Sequence, residues 1–102
     1  MAADQDALQR EAAEVLARLL RFNTVNPPGQ EREALEWLAG YLEDAGLECE
    51  LHAADPARPN LVARLRGEGS APPLLLQGHV DVVSTAGQDW QRPPFEAVVE
   101  DG

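Results

Sequence analysis

The chain has no lysine, a single cysteine and few aromatic side chains, and each shortage narrows what it can be. All eight basic residues are arginine, which we read as a compositional habit of the source organism rather than a sign of chemistry. The lone thiol, Cys49, excludes an internal disulfide and any cysteine-based metal cluster within the chain. It sits in an alternating apolar pattern and so reads as a small buried hydrophobe. Basic residues are outnumbered by 18 acidic ones, for a formal net charge of -10. Such a surface repels phosphate backbones and anionic lipids, so neither nucleic acid nor a membrane is an expected partner. No apolar run approaches the roughly 20 residues of a membrane span. The start, Met1-Ala2-Ala3-Asp4, lacks a charged-then-apolar leader, and the expected compartment is the cytoplasm.

What remains is ample for one domain: 102 residues, 44% of them apolar. Leu8, Ala12, Val15, Leu16, Leu19 and Leu20 recur at helical spacing, which predicts an amphipathic helix from about Asp6 to Arg21. Asn23 to Gly29 ends it, because the paired prolines Pro27 and Pro28 remove amide donors and bias their neighbours away from helix. A second helix carries Leu35, Leu38, Tyr41, Leu42 and Ala45 on one stripe with Trp37 beside it. The acidic start, Glu31 and Glu33, suits the helix dipole, and Gly46 suits a C-terminal cap. The period then falls to two: Leu47, Cys49 and Leu51 alternate with Glu48, Glu50 and His52. Asn60 to Arg66 alternates likewise, after a turn over Ala53–Pro59. Leu74-Leu75-Leu76 reads as a short central strand covered on both faces, and Glu96 to Val99 as one more strand. The order predicts an α/β fold with two N-terminal helices on a mixed sheet. Asp101-Gly102 is a turn signal with nothing after it, the pattern expected of a truncated hairpin.

Chemistry concentrates in Leu74-Leu-Leu-Gln-Gly-His79-Val-Asp81-Val-Val83. In open α/β sheets, ligands bind beyond the C-terminal ends of strands, where His79 and Asp81 fall. Residues two apart in extended backbone point to one face, so the two side chains aim together while Val80 aims away. A metal-bound imidazole needs its second nitrogen held by an acceptor, and a carboxylate at this spacing supplies one. The same pair is equally an ordinary hydrogen-bonded surface couple, and residue chemistry alone leaves both readings open. Other candidates are weaker. His52 beside Glu50 reads as solvated, and Ser84 lacks the Gly-x-Ser-x-Gly elbow of a serine hydrolase. Gly67-Glu68-Gly69 is too short for a phosphate loop, and the acids Glu31-x-Glu33 and Glu43-Asp44 read as solvated helix faces.

This stretch, with Asp89-Trp90 through Pro93-Pro94-Phe95 and Glu100-Asp101-Gly102, resembles a zinc metallopeptidase family. Its members include aminoacylase, acetylornithine deacetylase, succinyl-diaminopimelate desuccinylase and the glutamate carboxypeptidases. Phe22-Asn-Thr24-Val-Asn26-Pro27-Pro28-Gly29 and Pro59-Asn60-Leu61-Val62-Ala63 resemble the same family's N-terminal region. The resemblance implies that residues 1–102 are the N-terminal part of a single catalytic domain of the zinc-exopeptidase type. It implies hydrolysis of an amide or peptide bond next to a carboxylate, in a small N-acyl amino acid or peptide. It assigns His79 as a zinc ligand and Asp81 as the catalytic carboxylate that steadies it. The parent would hold two zinc ions, with cobalt or manganese as alternatives, and would pair as a homodimer. Trp90 to Phe95 would be a structural loop with its rings buried. The bridging carboxylate, the paired glutamates, and the final carboxylate and histidine would all lie beyond Gly102. The other class of reading is a non-catalytic homologue, or a structural or binding fragment.

Overall fold

A computed structural model describes residues 3–102; Met1 and Ala2 lie outside the described residues, and so does part of the reading of the chain's start. The chain divides into two units, Thr24–Ser84 and the flanking segments up to Asn23 and from Thr85 to Gly102.

In the flanking unit, helix α1 spans Gln5–Leu20, within a residue of its expected bounds. Asp4 caps it, its Oδ1 accepting from the amides of Asp6 (3.1 Å) and Ala7 (3.2 Å), two donors that have no partner inside the helix. Arg18 lies over the Phe22 ring at 5.3 Å. No residue of α1 is buried, and Leu8, Leu16 and Leu20 of its apolar stripe are exposed. The expected strand at Glu96–Val99 is not formed; Ala97 there has a left-handed φ of 55°. Trp90 is tied by its indole N–H to the Thr85 carbonyl (3.2 Å), but its ring is half exposed rather than buried.

The central unit is built around helix α2, Arg32–Asp44, and a hairpin of strands β1, Glu48–His52, and β2, Asn60–Arg64. The α/β class expected from the sequence holds. Ala34, Leu35 and Ala39 of α2 are the buried apolar core. Gly46, at φ 94°, ends the helix as expected, with the Leu47 amide donating back to the Leu42 carbonyl at 3.0 Å. The strands pair antiparallel in the register Glu48–Arg64, Glu50–Val62 and His52–Asn60. Period-two geometry puts Cys49 and Leu51 on the half-buried face, and burial raises the Cys49 thiol pKa. His52 is solvated and paired with Glu50 at 3.1 Å, as expected.

Leu74–Leu76 departs from expectation. The three leucines are 83–85% exposed and form no strand. An apolar run becomes a central strand only where neighbours supply ladder bonds on both edges, and among the described residues none flanks it. The only bridge outside the hairpin among the described residues joins Val25 to Val82 in parallel.

Two glycines make opposite predictions. Gly29 is buried at φ 79°, and a Cβ there would come within 2.3 Å of the Arg58 guanidinium. Gly40 lies within α2, with open space where an alanine methyl would stand. Gly29→Ala should therefore cost at least about 1–2 kcal/mol of stability, whereas Gly40→Ala should add roughly 0.5–1 kcal/mol. Urea midpoints of the full chain check both.

Candidate functional site

The site is assembled from three segments of the central unit, and backbone pairing brings them together. Thr24 is buried and donates its hydroxyl to the Val80 carbonyl at 2.8 Å. The Val82 amide donates to the Thr24 carbonyl (3.1 Å) and the Asn26 amide to the Val82 carbonyl (2.9 Å). Segment 24–26 is thus laid beside 80–82, with Asn26 next to Asp81. Beyond it, the Asn26–Pro27 and Pro27–Pro28 peptides are cis, and the Gly29 amide closes the turn onto the Val25 carbonyl at 2.9 Å.

The third segment arrives through the start of α2. Helices open with unsatisfied amides, and here Glu31 and Arg32 both donate to the Ala57 carbonyl, at 3.1 and 3.3 Å. Arg32 also donates its Nε to the Pro56 carbonyl. The turn before β2 is thereby docked on the helix N-terminus, which places Arg58 against Glu31. Glu31 is buried and accepts Arg58 Nη2 at 2.8 Å and Nε at 3.2 Å. Its sequence reading as part of a solvated helix face is corrected. The alternation of apolar residues along α2 says nothing of a charge arriving from a distant turn.

His79 and Asp81 meet as expected, although the strand expected to lead into them is not formed: His79 Nδ1 lies 2.8 Å from Asp81 Oδ1. Asp81 Oδ2 accepts Asn26 Nδ2 at 3.0 Å and lies 3.6 Å from Arg58 Nη2. The Asn26 and His79 hydrogen bonds hold the Asp81 carboxyl below the usual carboxylate range, with Arg58 adding to the effect. An ionised carboxylate only accepts hydrogen bonds, so Nδ1 carries the proton. In the neutral ring Nε2 then holds the lone pair, and the side chain is 83% exposed. This is one imidazole donor, oriented from behind and open in front. It fits one corner of a metal site. Among the described residues, no three His, Cys, Asp or Glu side chains converge as a group that could hold a metal ion. Asn26, Glu31 and Arg58 are the residues sequence reasoning passed over. Asn26 was visible only as part of the proline loop, and no local pattern marks Arg58.

The chain is 31% identical over 98 residues to N-formyl-4-amino-5-aminomethyl-2-methylpyrimidine deformylase of Bacillus subtilis, an overlap of 92% of this chain and 23% of that protein. It is 46% identical over 89 residues to succinyl-diaminopimelate desuccinylase of Gluconobacter oxydans, covering 83% of this chain and 22% of the relative. To a probable succinyl-diaminopimelate desuccinylase of Staphylococcus epidermidis it is 34% identical over 95 residues, 92% of this chain and 22% of the relative. The chain spans less than a quarter of the length of these relatives. No family model and no solved structure matches it. Over 83–92% of its own length the chain is similar to these desuccinylases and this deformylase. No helix among the described residues is long and apolar enough to cross a membrane.

Glu31 gives this site an acid limit. Its hydrogen bonds from Arg58 lower its carboxyl below the ordinary range, against the opposing effect of burial. A carboxyl lowered by folding adds stability that is complete above its unfolded pKa, about 4.3. That stability is lost as pH falls through the lowered, folded value. Glu31→Gln should therefore be less stable than wild type at pH 7, with the gap between their urea midpoints narrowing as pH falls below about 4.

Proposed function

We propose that residues 1–102 are the N-terminal part of the catalytic domain of a zinc-dependent amidohydrolase, in which His79 is a metal ligand and Asp81 the carboxylate that fixes it. The observation that carries this reading is the 2.8 Å contact of His79 Nδ1 with Asp81 Oδ1, behind a ring whose other face is open. The donor set suits zinc, which takes neutral imidazole nitrogen readily. A pair of zinc ions, or cobalt or manganese in their place, would supply Lewis acidity and acidify a water molecule.

The chain's own residues do the rest of what it contributes. Asp81 accepts the Nδ1 proton and keeps it there, which leaves Nε2 free to donate its lone pair and prevents the ring from flipping. Asn26 holds Asp81 in turn. A catalytic site needs about three protein ligands and an open position, and this chain supplies one, so by itself it does not catalyse. The remaining ligands and a glutamate general base belong to the rest of the parent.

The relatives are named for removing succinyl and formyl groups. We extend that chemistry to this protein as hydrolysis of an amide bond next to a carboxylate, in a small N-acyl amino acid or peptide, by a cytoplasmic homodimer. In the full-length protein, His79→Ala should abolish amide hydrolysis and lower zinc content. Asp81→Asn should cost about 10–100-fold in activity or metal affinity. Wild-type activity and zinc content in His79→Ala would refute the assignment.

A further inference from the structure

Arg58 joins two carboxylates that the chain brings from separate segments. It gives Nε and Nη2 to Glu31, and the same Nη2 stands 3.6 Å from Asp81 Oδ2. That separation is an ion-pair distance, too long for a hydrogen bond, so Arg58 acts on Asp81 by charge while Asn26 supplies direction. Glu31 is the fixed member of the set. It is buried, and a buried charge is kept only by a partner with good geometry. Gly29 is the wall on the other side, where any Cβ would overlap the guanidinium. Arg58 therefore has little freedom to leave its place between the two acids. Asp81 opposes the ionisation of Glu31, and the guanidinium beside both acids offsets that effect.

We propose that Arg58, clamped by Glu31 and backed by Gly29, is a positioning residue that holds the Asp81 carboxylate so that Oδ1 faces His79 and only Nε2 is presented to a metal. The terminal torsion of an aspartate is broad and nearly two-fold, so a carboxylate anchored on one oxygen alone turns readily. With Oδ2 held by Asn26 and attracted to Arg58, Oδ1 is left for Nδ1. Without Arg58, Oδ2 loses the charge that attracts it, the carboxylate turns, and the ring loses the acceptor that fixes its tautomer. This role rests on the reading of His79 as a metal ligand.

The test uses the metal-free full-length protein with nitrogen-15-labelled histidine, followed by zinc titration. Wild type should show His79 ring signals of the Nδ1-protonated tautomer. Arg58→Gln should shift them to a tautomer mixture and weaken zinc binding by about tenfold or more. Arg58→Gln leaves Glu31 buried without a partner, so the double variant Glu31→Gln with Arg58→Gln, which removes both charges, guards against simple unfolding. It should show the same shift and the same loss. Wild-type ring signals and wild-type zinc affinity in the folded double variant would overturn the role of Arg58. If wild type itself takes up no zinc, the functional reading fails, and the ring signals of the double variant alone then decide whether Arg58 positions Asp81.

Discussion

The contact between His79 Nδ1 and Asp81 Oδ1 is the constraint on which the functional account of this chain depends. Two residues apart on extended backbone, the side chains would share a face in any sequence. What makes the pair more than neighbours is that Asp81 is itself held, by Asn26 on one side and the Arg58–Glu31 pair behind it. Each of those holders is delivered by backbone hydrogen bonding: Asn26 by the parallel pairing of 24–26 with 80–82, and Arg58 by the docking of its turn on the first amides of α2. The fold thus converts a two-residue motif into an oriented donor.

Most of the chain's arginines sit in ion pairs, but they are not of equal weight. Arg32 with Glu36, Arg64 with Glu50, Arg66 with Glu48 and Arg92 with Glu100 are solvent-exposed, and such pairs add little to stability. Arg58 with Glu31 differs because the acid is buried and the guanidinium meets it with two nitrogens. A planar fork suits that geometry where an ammonium would not. The contrast locates the electrostatics that matter at one point in an otherwise diffuse acidic surface.

Elements whose signal is local were legible in the sequence. The helical repeat of Leu8 to Leu20 gave α1 to within a residue, and the switch to period two at Leu47 gave the hairpin. Gly46 announced the end of α2. Elements that depend on distant partners were not legible. Leu74–Leu76 has the composition of a covered strand, yet burial is a property of neighbours, and these leucines stand exposed. Glu31 failed in the opposite sense, reading as a solvated acid because nothing near it in sequence predicts that Ala57 and Arg58 will close over it. Of the candidate site, His79 and Asp81 were readable as a pair, while the residues that orient them became visible only in three dimensions.

Crystals of the full-length protein loaded with zinc, measured at the zinc absorption edge, test the central claim most directly. The account predicts an anomalous peak about 2.0–2.1 Å from His79 Nε2, with Asp81 still on Nδ1. Zinc bound elsewhere, with the His79 ring free of metal, would contradict it.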